Sequence, residues 1–349
     1  MKENTFNPGP FEKMQRLTAL LSALDKDRLL RGKLALHGGT AINAFYFDLP
    51  RMSVDVDLSF VGEVSRDELP TARKELLERI REVATRLGYS PQYGKDQYAG
   101  RTIKLRYQGG MIKADVNFMN RVPLLPPGRM ASFVDGRMSF PMLSPYDVFG
   151  GKVRAVLGRT TPRDLFDIAT IAKHAGEFDE GLLHGSLLLY ATLSDLFPQT
   201  YEGSFTDSMG RFDNIEDEIA ENLLPMLAVG EAKTDPCKLV GDAAGFIRDW
   251  VDPRDARERE YVERMRRADF RPELILPGEV AARARKFPEA LWKMKNLERY
   301  SALPSPESVA ARARKCAQGS AGGSATGRRR QNGDAAAFSR GSRPSQGRP

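Results

Sequence analysis

Cysteine and histidine are scarce in this chain of 349 residues. The two cysteines, Cys237 and Cys316, stand far apart, and the three histidines are scattered along the sequence. Zinc sites place Cys and His ligands at short spacings, and disulfide-rich proteins carry many more cysteines. The sequence therefore predicts neither a zinc site nor a disulfide framework, and it favours a reducing, cytoplasmic environment.

Long apolar runs are also missing. No stretch approaches the roughly 18 apolar residues that a membrane-spanning helix needs, and the N-terminal segment MKENTFNPGPFEK has no hydrophobic region typical of a signal peptide. We therefore expect no membrane partner. What the chain has instead is 41% hydrophobic and 28% charged residues, a composition typical of a globular protein with a substantial core.

The net charge of +7 is concentrated at the C-terminal end of the chain. Residues 301–349 contain nine basic and two acidic residues, which account for the whole excess and leave the preceding part formally neutral. From about residue 319 the segment is rich in Gly, Ser, Ala and Arg, so we predict a mostly disordered basic tail. Such a tail attracts RNA or another polyanion, or is a dispensable extension, and the charge does not choose between these alternatives.

Apolar periodicity divides the rest of the chain. Helical spacing marks 11–31 and 66–87, and strand-like alternation marks 53–61, 101–108 and 111–119. Downstream of these strands, from 144 to about 300, helical patterns dominate. We predict an α/β domain with an N-terminal helix over 1–143, a helical domain over 144–300, and the tail over 301–349.

Two carboxylates interrupt the apolar strand pattern SVDVDLSF. Alternation places the apolar residues on one face and Asp55 and Asp57 on the other, and the same parity in MIKADVNF places Asp115 outward. If the two strands are neighbours, the three carboxylates share one surface and repel strongly unless a divalent cation neutralises them. Asp55, Asp57 and Asp115 are therefore candidate ligands of Mg²⁺, with Mn²⁺ as an alternative. An isolated Asp-x-Asp is also typical of a solvated strand face.

Gly38, Gly39 and Thr40 follow a short strand pattern and precede the Asp-x-Asp segment. Two glycines allow a backbone to approach a phosphate closely, and we expect Thr40 to open a helix whose unpaired N–H groups attract an anion. An isolated Gly-Gly-Thr is more often an ordinary turn, but its position favours a nucleotide-binding loop. Arg51 and Ser53 are further candidates for nucleotide contact. Arg51 neutralises the acidic face or steers phosphate, and Ser53 has the alternative role of starting the strand.

The segment GGTAINAFYFDLPRMSVDVDLSF resembles the nucleotidyltransferase AbiEii/AbiGii toxin family, a branch of the DNA-polymerase-β-like nucleotidyltransferases. In that superfamily a Gly-Gly-Ser/Thr loop holds a nucleoside triphosphate (NTP), and Asp-x-Asp with a third Asp binds Mg²⁺. The resemblance resumes at SPYDVFGGKVRAVLGRTTPRDLFDIATI, which is similar to the family's later Lys…Arg-Asp-x-x-Asp motif. It implies that Lys152 contacts the triphosphate and that Asp164 supports the catalytic site.

A structural interpretation of this second motif stays open. Thr161 is well placed to cap a helix that has Pro162 at its first position and Asp164 in a capping-box-like place. Asp164 and Asp167 lie on one helix face, where they can simply pair with neighbouring arginines. Those arginines are Arg159 and Arg163.

The resemblance implies an α+β fold, in which a polymerase-β-like domain with a mixed sheet and flanking helices precedes the helical domain. It implies Mg²⁺-dependent transfer of a nucleoside monophosphate from an NTP to an acceptor hydroxyl, with Asp115 as the general base. It further implies a toxin of a toxin–antitoxin or abortive-infection pair that acts on tRNA or other RNA ends and has a separately encoded antitoxin partner. The alternatives are a nucleotidyltransferase of small molecules such as antibiotics and a non-catalytic nucleotide-binding module.

Overall fold

The computed structural model describes residues 5–62, 64–97, 99–159, 161–209, 215–229 and 235–301, without the side chains of 298–301. Residues 1–300 form one compact unit. The predicted basic tail lies outside the described residues, so its disorder stays a prediction.

A mixed sheet of seven strands forms the N-terminal part of this unit. The strands are β1 (Leu34–His37), β2 (Asp55–Phe60), β3 (Ser90–Gln97), β4 (Gly100–Tyr107), β5 (Gly110–Asn117), β6 (Gly128–Ala131) and β7 (Ser139–Met142). Their order across the sheet is β3-β4-β5-β2-β1-β7-β6. β2 is parallel to β5 and β1 is parallel to β7, whereas the other neighbouring pairs are antiparallel. The predicted mixed sheet is confirmed.

Strict alternation explains why β4 and β5 form a half-buried hairpin. The apolar residues of both strands are buried, and they are Ile103, Leu105, Ile112, Ala114 and Val116. The polar residues between them are exposed or half-buried. Gly109 in the connecting turn has a φ of +89°, a backbone conformation that glycine adopts without strain.

Three helices accompany the sheet in the described part of the first 143 residues. They are α1 (Pro8–Lys26), α2 (Gly38–Ala41), which continues as one π-helical turn over Ile42–Tyr46, and α3 (Leu69–Arg86). α1 ends earlier than the predicted helix over 11–31. Asp27 takes an extended conformation there, and its carboxylate accepts hydrogen bonds from Arg79 of α3. The cross-linked Asp27 therefore stops a helix that apolar spacing alone would continue.

Helices alone follow β7 among the regular elements that the structure describes, as predicted. They are α4 (Pro145–Arg159), α5 (Pro162–His174), α6 (Glu180–Thr192), α7 (Ile215–Asn222), α8 (Pro236–Trp250), α9 (Ala256–Arg266), α10 (Gly278–Ala284) and α11 (Pro288–Ser301). α4 packs closely on α6, since a Cβ on Gly150 would lie 2.2 Å from the ring of Tyr190. In the described part of the chain, no helix combines the length and the apolar character needed to cross a bilayer.

The change from strands to helices falls at the predicted boundary near residue 143. Both parts nevertheless belong to the same compact unit. Arg51, which precedes β2, is paired with Asp167 of α5. The division into two domains at this position stays a prediction.

Candidate functional site

Three carboxylates lie on one face of the sheet. Asp55 and Asp57 belong to β2, and Asp115 belongs to the parallel strand β5, where it lies directly opposite Asp57. The intervening residues Val56 and Ala114 are buried on the other face. Because neighbouring strands are about 4.8 Å apart, the register brings the three acidic positions together. β2 and β5 are therefore neighbours, which is the condition for the predicted shared surface.

The charge on these carboxylates is only partly compensated. Burial, together with the charges of Asp55 and Asp115, raises the pKa of Asp57 to about 6. Asp115 accepts a hydrogen bond from the hydroxyl of Thr102 and pairs with Lys113, each at 2.5 Å. Because Asp57 is held among like charges, its ionised form is disfavoured in the protein without a cation.

A divalent cation fits the chemistry of this donor set. Mg²⁺ prefers carboxylate oxygens, and the raised pKa of Asp57 indicates negative charge that the protein leaves uncompensated. In the conformation observed, no three Asp, Glu, His or Cys side chains of the described residues are close enough together to hold a metal ion. Asp115 contacts Thr102 and Lys113 in this conformation.

Gly38 and Gly39 leave space beside the carboxylate face. A Cβ on Gly38 would lie 2.0 Å from Oδ2 of Asp57, and the φ of Gly38 is +73°. A Cβ on Gly39 would lie 2.9 Å from the guanidinium of Arg51 and 2.9 Å from Oγ of Ser53. Close approach to these side chains, and not turn geometry alone, explains the pair of glycines.

The helix after β1 begins at Gly38, two residues before the predicted start at Thr40. Thr40 is buried, and its hydroxyl lies 2.6 Å from the carbonyl oxygen of Asp55 and 3.1 Å from Oγ of Ser53. These hydrogen bonds fasten α2 to the beginning of β2. The hydroxyls of Thr40 and Ser53 are thus used in hydrogen bonds within the protein. The first backbone N–H groups of α2, by contrast, lack intrahelical partners and receive no side-chain cap from the described residues.

Substituting alanine for Gly38 is expected to destabilise the protein by more than about 1 kcal/mol, since it adds a Cβ at a positive φ and against Asp57. Gly151 is the matched control, because it is exposed on α4 and a Cβ there meets no atom within 4 Å. Gly151→Ala should leave stability unchanged or raise it by up to about 1 kcal/mol. Thermal unfolding of the two variants measures the difference, and equal melting temperatures would contradict the close approach.

Five charged residues form a cluster beside the glycines, which we name the ionic cluster. Its members are Arg51, Lys152, Arg159, Asp164 and Asp167. Asp167 is its centre, because it accepts hydrogen bonds of 2.8 and 2.6 Å from Arg51 and lies 2.9 Å from Nζ of Lys152. Asp164 accepts from Lys152 and Arg159, at 2.8 Å in each case.

All the acidic members of the ionic cluster are held in the ionised form. Burial alone would raise the pKa of Asp167, but Arg51 and Lys152 outweigh burial and lower it. For Asp164 burial is likewise outweighed by Lys152 and Arg159, so its pKa lies well below the usual range. Three cations face two carboxylates, which leaves one positive charge in excess next to Gly39.

The helix-cap interpretation of the second motif is confirmed, and it coexists with the ionic cluster. Thr161 caps α5 by accepting from the backbone N–H of Asp164, and the pair of Asp164 with Arg159 forms. Asp167 pairs with Arg51 and Lys152 and not with the nearby arginines. Sequence spacing could not reveal its bond to Arg51, because 116 residues separate the two.

The sequence predicts Arg163 only as a partner of neighbouring acids. Its guanidinium lies instead 3.9 Å from Oδ2 of Asp55, so α5 contributes a cation to the carboxylate face. Arg163 and Arg159 remain partly open to solvent, with 38% and 65% of their side chains exposed. The sequence feature that could have identified Arg163 as a site residue is its position just before the Asp-x-x-Asp pair.

The pKa of Asp57 makes stability depend on pH. Because its pKa of about 6 in the folded protein exceeds the ordinary aspartate value of 3.8, ionisation of Asp57 costs folding stability as the pH rises through this interval. Without divalent cations, Asp57→Asn should match the wild type near about pH 4 and exceed its stability by about 1–3 kcal/mol above about pH 7. Thermal unfolding in EDTA across this range tests the expectation, and a constant difference would contradict it. Added Mg²⁺ should raise the melting temperature of the wild type alone.

Comparisons with known proteins place the sequence in a family. The family model described as nucleotidyl transferase AbiEii toxin, type IV TA system, matches residues 19–233, well over half of the chain. No curated protein matches the sequence.

Two solved structures match this chain at low sequence identity. MenT4, a nucleotidyltransferase toxin from Mycobacterium tuberculosis, is 17% identical with a TM-score of 0.49, over 82% of this chain and 92% of that chain. A complex of CdnC with HORMA from E. coli MS115-1 is 12% identical with a TM-score of 0.26, over 82% and 93% of the two chains. On the extent of the family match, the chain belongs to the AbiEii nucleotidyltransferase toxin family and is a nucleotidyltransferase enzyme.

Proposed function

We propose that this enzyme transfers a nucleoside monophosphate from an NTP to a hydroxyl at the end of an RNA, with tRNA among the acceptors, in a Mg²⁺-dependent reaction. The observation that carries the proposal is the carboxylate face, where Asp55 and Asp57 of β2 meet Asp115 of β5 beside Gly38. Paired carboxylates next to a turn with unpaired N–H groups are what metal-assisted transfer of a phosphorylated group requires.

Asp55, Asp57 and Asp115 are the residues that would hold the metal ion. When bound, Mg²⁺ supplies positive charge that stabilises the reacting phosphate and lowers the pKa of the acceptor hydroxyl. Mn²⁺, which favours the same oxygen ligands, is a possible substitute. To bind the metal ion, Asp115 has to exchange its contacts with Thr102 and Lys113 for contacts in the substrate site.

The proposed chemical step is attack of the acceptor hydroxyl on the NTP. The acceptor oxygen attacks the α-phosphorus, a new P–O bond forms, and the bond between the α-phosphorus and the bridging oxygen breaks so that pyrophosphate departs. The proton of the acceptor hydroxyl passes to a carboxylate, and we assign this general-base role to Asp115. Its carboxylate accepts a hydrogen bond from the hydroxyl of Thr102, and once that contact is exchanged it can accept one from the acceptor hydroxyl in the same way.

The triphosphate is assigned to the side of the site that carries the excess positive charge. The backbone N–H groups of Gly38, Gly39 and Thr40 bind the phosphates, since the hydroxyl of Thr40 is already used. Lys152 and Arg51 are buried in the ionic cluster and supply its positive potential.

Asp164 supports this arrangement by holding Lys152 and Arg159. Among the arginines of this region, Arg159 and Arg163 are those that solvent reaches, so we add them as phosphate contacts. An inward-facing cation that is already paired acts on phosphate through its field, whereas a half-exposed arginine donates hydrogen bonds directly.

The biological role follows from the family. The family description names a toxin of a type IV toxin–antitoxin system, so we propose a separately encoded antitoxin as the partner of this chain. Modification of tRNA ends would explain toxicity, since it removes RNA from translation.

Incubation of the purified protein with α-labelled NTPs, Mg²⁺ and total cellular RNA tests the proposal. We expect label to enter RNA, to depend on Mg²⁺ and to be lost in EDTA. A parallel reaction with aminoglycosides tests the small-molecule alternative, which needs a compact acidic acceptor pocket. Label in the aminoglycoside and none in RNA would overturn the RNA assignment, and label in neither would overturn the proposed reaction.

A further inference from the structure

The face of the sheet that carries the three carboxylates continues across β5, β4 and β3. Strand register sets Lys113 of β5 beside Asp55 on one side and opposite Lys104 of β4 on the other. Arg106 follows two residues along β4 on the same face. The acidic part of this face therefore changes to a basic part within one strand spacing of about 4.8 Å. We name Lys104, Arg106 and Lys113 the basic sheet face.

The basic sheet face is open to solvent, whereas the opposite side of the same strands is covered. Lys104, Arg106 and Lys113 are all exposed. On the other side Ile103 is buried, and the hydroxyl of Tyr93, which lies opposite Ile103 on β3, donates to the backbone of α3. α3 thus packs on the apolar side, and the side that continues from Asp115 is accessible to a large substrate.

The positive charge on this face is poorly compensated. Lys104 and Lys113 lie directly opposite each other, an arrangement that destabilises a sheet when both side chains carry the same charge. Lys113 pairs with Asp115, but Lys104 and Arg106 have no acidic partner among the described residues, and Arg106 donates only to the amide oxygen of Gln92. An anionic ligand would relieve this repulsion.

We propose that the basic sheet face binds the sugar–phosphate backbone of a single-stranded RNA acceptor next to its reactive end. The inference rests on the proposed function and adds the surface that holds the acceptor. Lys104 lies one strand spacing of about 4.8 Å from Lys113, and Arg106 follows about 6.6 Å further along β4, so the three cations form a narrow band two strands wide. A narrow band of positive charge suits one phosphate backbone rather than the two backbones of a duplex, and its positive charge disfavours the binding of cationic small molecules.

The band begins at the carboxylates, which gives the acceptor a direction. Lys113 is two residues from Asp115 on β5, and Lys104 lies opposite Lys113 on β4. Arg106 follows further along β4, so the cations lead away from Asp115 along the strands. An RNA end that places its terminal hydroxyl at Asp115 therefore sets its preceding phosphates over the basic sheet face. The NTP is held on the opposite side, near Gly39 and the ionic cluster, so the two substrates do not compete for the same cations.

The double variant Lys104→Ala/Arg106→Ala tests this surface while leaving Lys113 and the carboxylates in place. The matched control is Arg28→Ala/Lys33→Ala, which removes the same two residue types from exposed positions before β1. Lys33 adjoins the beginning of β1, whereas the carboxylates lie beside its end, since His37 is opposite Asp57. Both pairs are tested in the full-length chain with a fluorescently labelled single-stranded RNA oligonucleotide.

We expect the Lys104→Ala/Arg106→Ala variant to raise the Kd for the oligonucleotide about 10-fold and to lower the slope of log Kd against log salt by about 1.4, corresponding to two phosphate contacts. NTP affinity and melting temperature should stay unchanged, and the KM for RNA should rise with kcat retained. The control pair should change the oligonucleotide Kd by less than about 2-fold.

An unchanged Kd for the oligonucleotide, or an equal loss in the control pair, would overturn the inference, as would tighter binding of a duplex of the same sequence. Failure of the proposed function is recognised separately, because RNA binding is measured without NTP and transfer is measured with the wild type. If the wild type transfers nucleotide to RNA and the Lys104→Ala/Arg106→Ala variant has the same KM for RNA, the proposed RNA-binding surface is wrong and the proposed function stands.

Discussion

Asp57→Ala is expected to abolish nucleotide transfer, by about 10³-fold or more, while the protein stays folded. The variant loses a central carboxylate of the site, and metal-dependent charge stabilisation contributes several kcal/mol to such reactions. Stability should be retained or raised, since Asp57 is held among like charges and beside Gly38. The measurement is incorporation of α-labelled NMP into RNA, with thermal unfolding as the test of folding.

Ser59→Ala is the matched control for Asp57→Ala. Ser59 lies two residues further along β2 on the same face, is fully buried, and its hydroxyl has no hydrogen-bond partner among the described residues. Its removal should leave both transfer and stability close to those of the wild type. Transfer by Asp57→Ala at the wild-type rate would show that the carboxylate face is not the reaction centre.

Asp167→Asn is expected to cause the largest loss of stability of the substitutions considered. Asp167 is fully buried between Arg51 and Lys152, and removing its charge leaves two buried cations without their shared partner. Breaking a buried ion pair in this way costs about 3–5 kcal/mol, which corresponds to a fall in melting temperature of roughly 5–15 °C for a protein of this size. Thermal or denaturant unfolding measures the loss.

Glu12→Gln is the control for this prediction, because it removes an ion pair of similar length with Arg16 on the exposed face of α1. An exposed pair of this kind contributes less than about 1 kcal/mol. Similar losses in the two variants would contradict the central position of Asp167. The lowered pKa of Asp167 also means that its contribution is present at neutral pH and is lost as the pH falls into the acid range.

The strands around the site could be predicted because their alternation is strict. In β5 apolar and polar residues alternate from Ile112 to Asn117, so the outward position of Asp115 follows from parity. Helix ends were harder to place, since they depend on contacts that are distant in sequence. α1 stops at Lys26 where Asp27 meets Arg79, and α2 starts at Gly38 where the chain passes Asp57.

Contacts between residues distant in sequence also limited the prediction of the candidate site. The family resemblance pointed to Asp164 and Lys152 as site residues, and these two residues do contact each other. The sequence did not predict that Asp167 is the centre of the ionic cluster, because its partner Arg51 lies before β2. The spacing of residues in the sequence also does not reveal burial. Burial distinguishes a paired cation such as Lys152 from an accessible one such as Arg163.

The position of the transferred label tests the central claim most directly. Reactions with Mg²⁺ and RNA are run in parallel with NTP labelled at the α-phosphate and with NTP labelled at the γ-phosphate. The account predicts that RNA gains label from the α-labelled NTP alone and that the γ-label is released in pyrophosphate. Label that reaches RNA from the γ-phosphate, or release of inorganic phosphate without labelled RNA, would contradict nucleotidyl transfer at the carboxylate face.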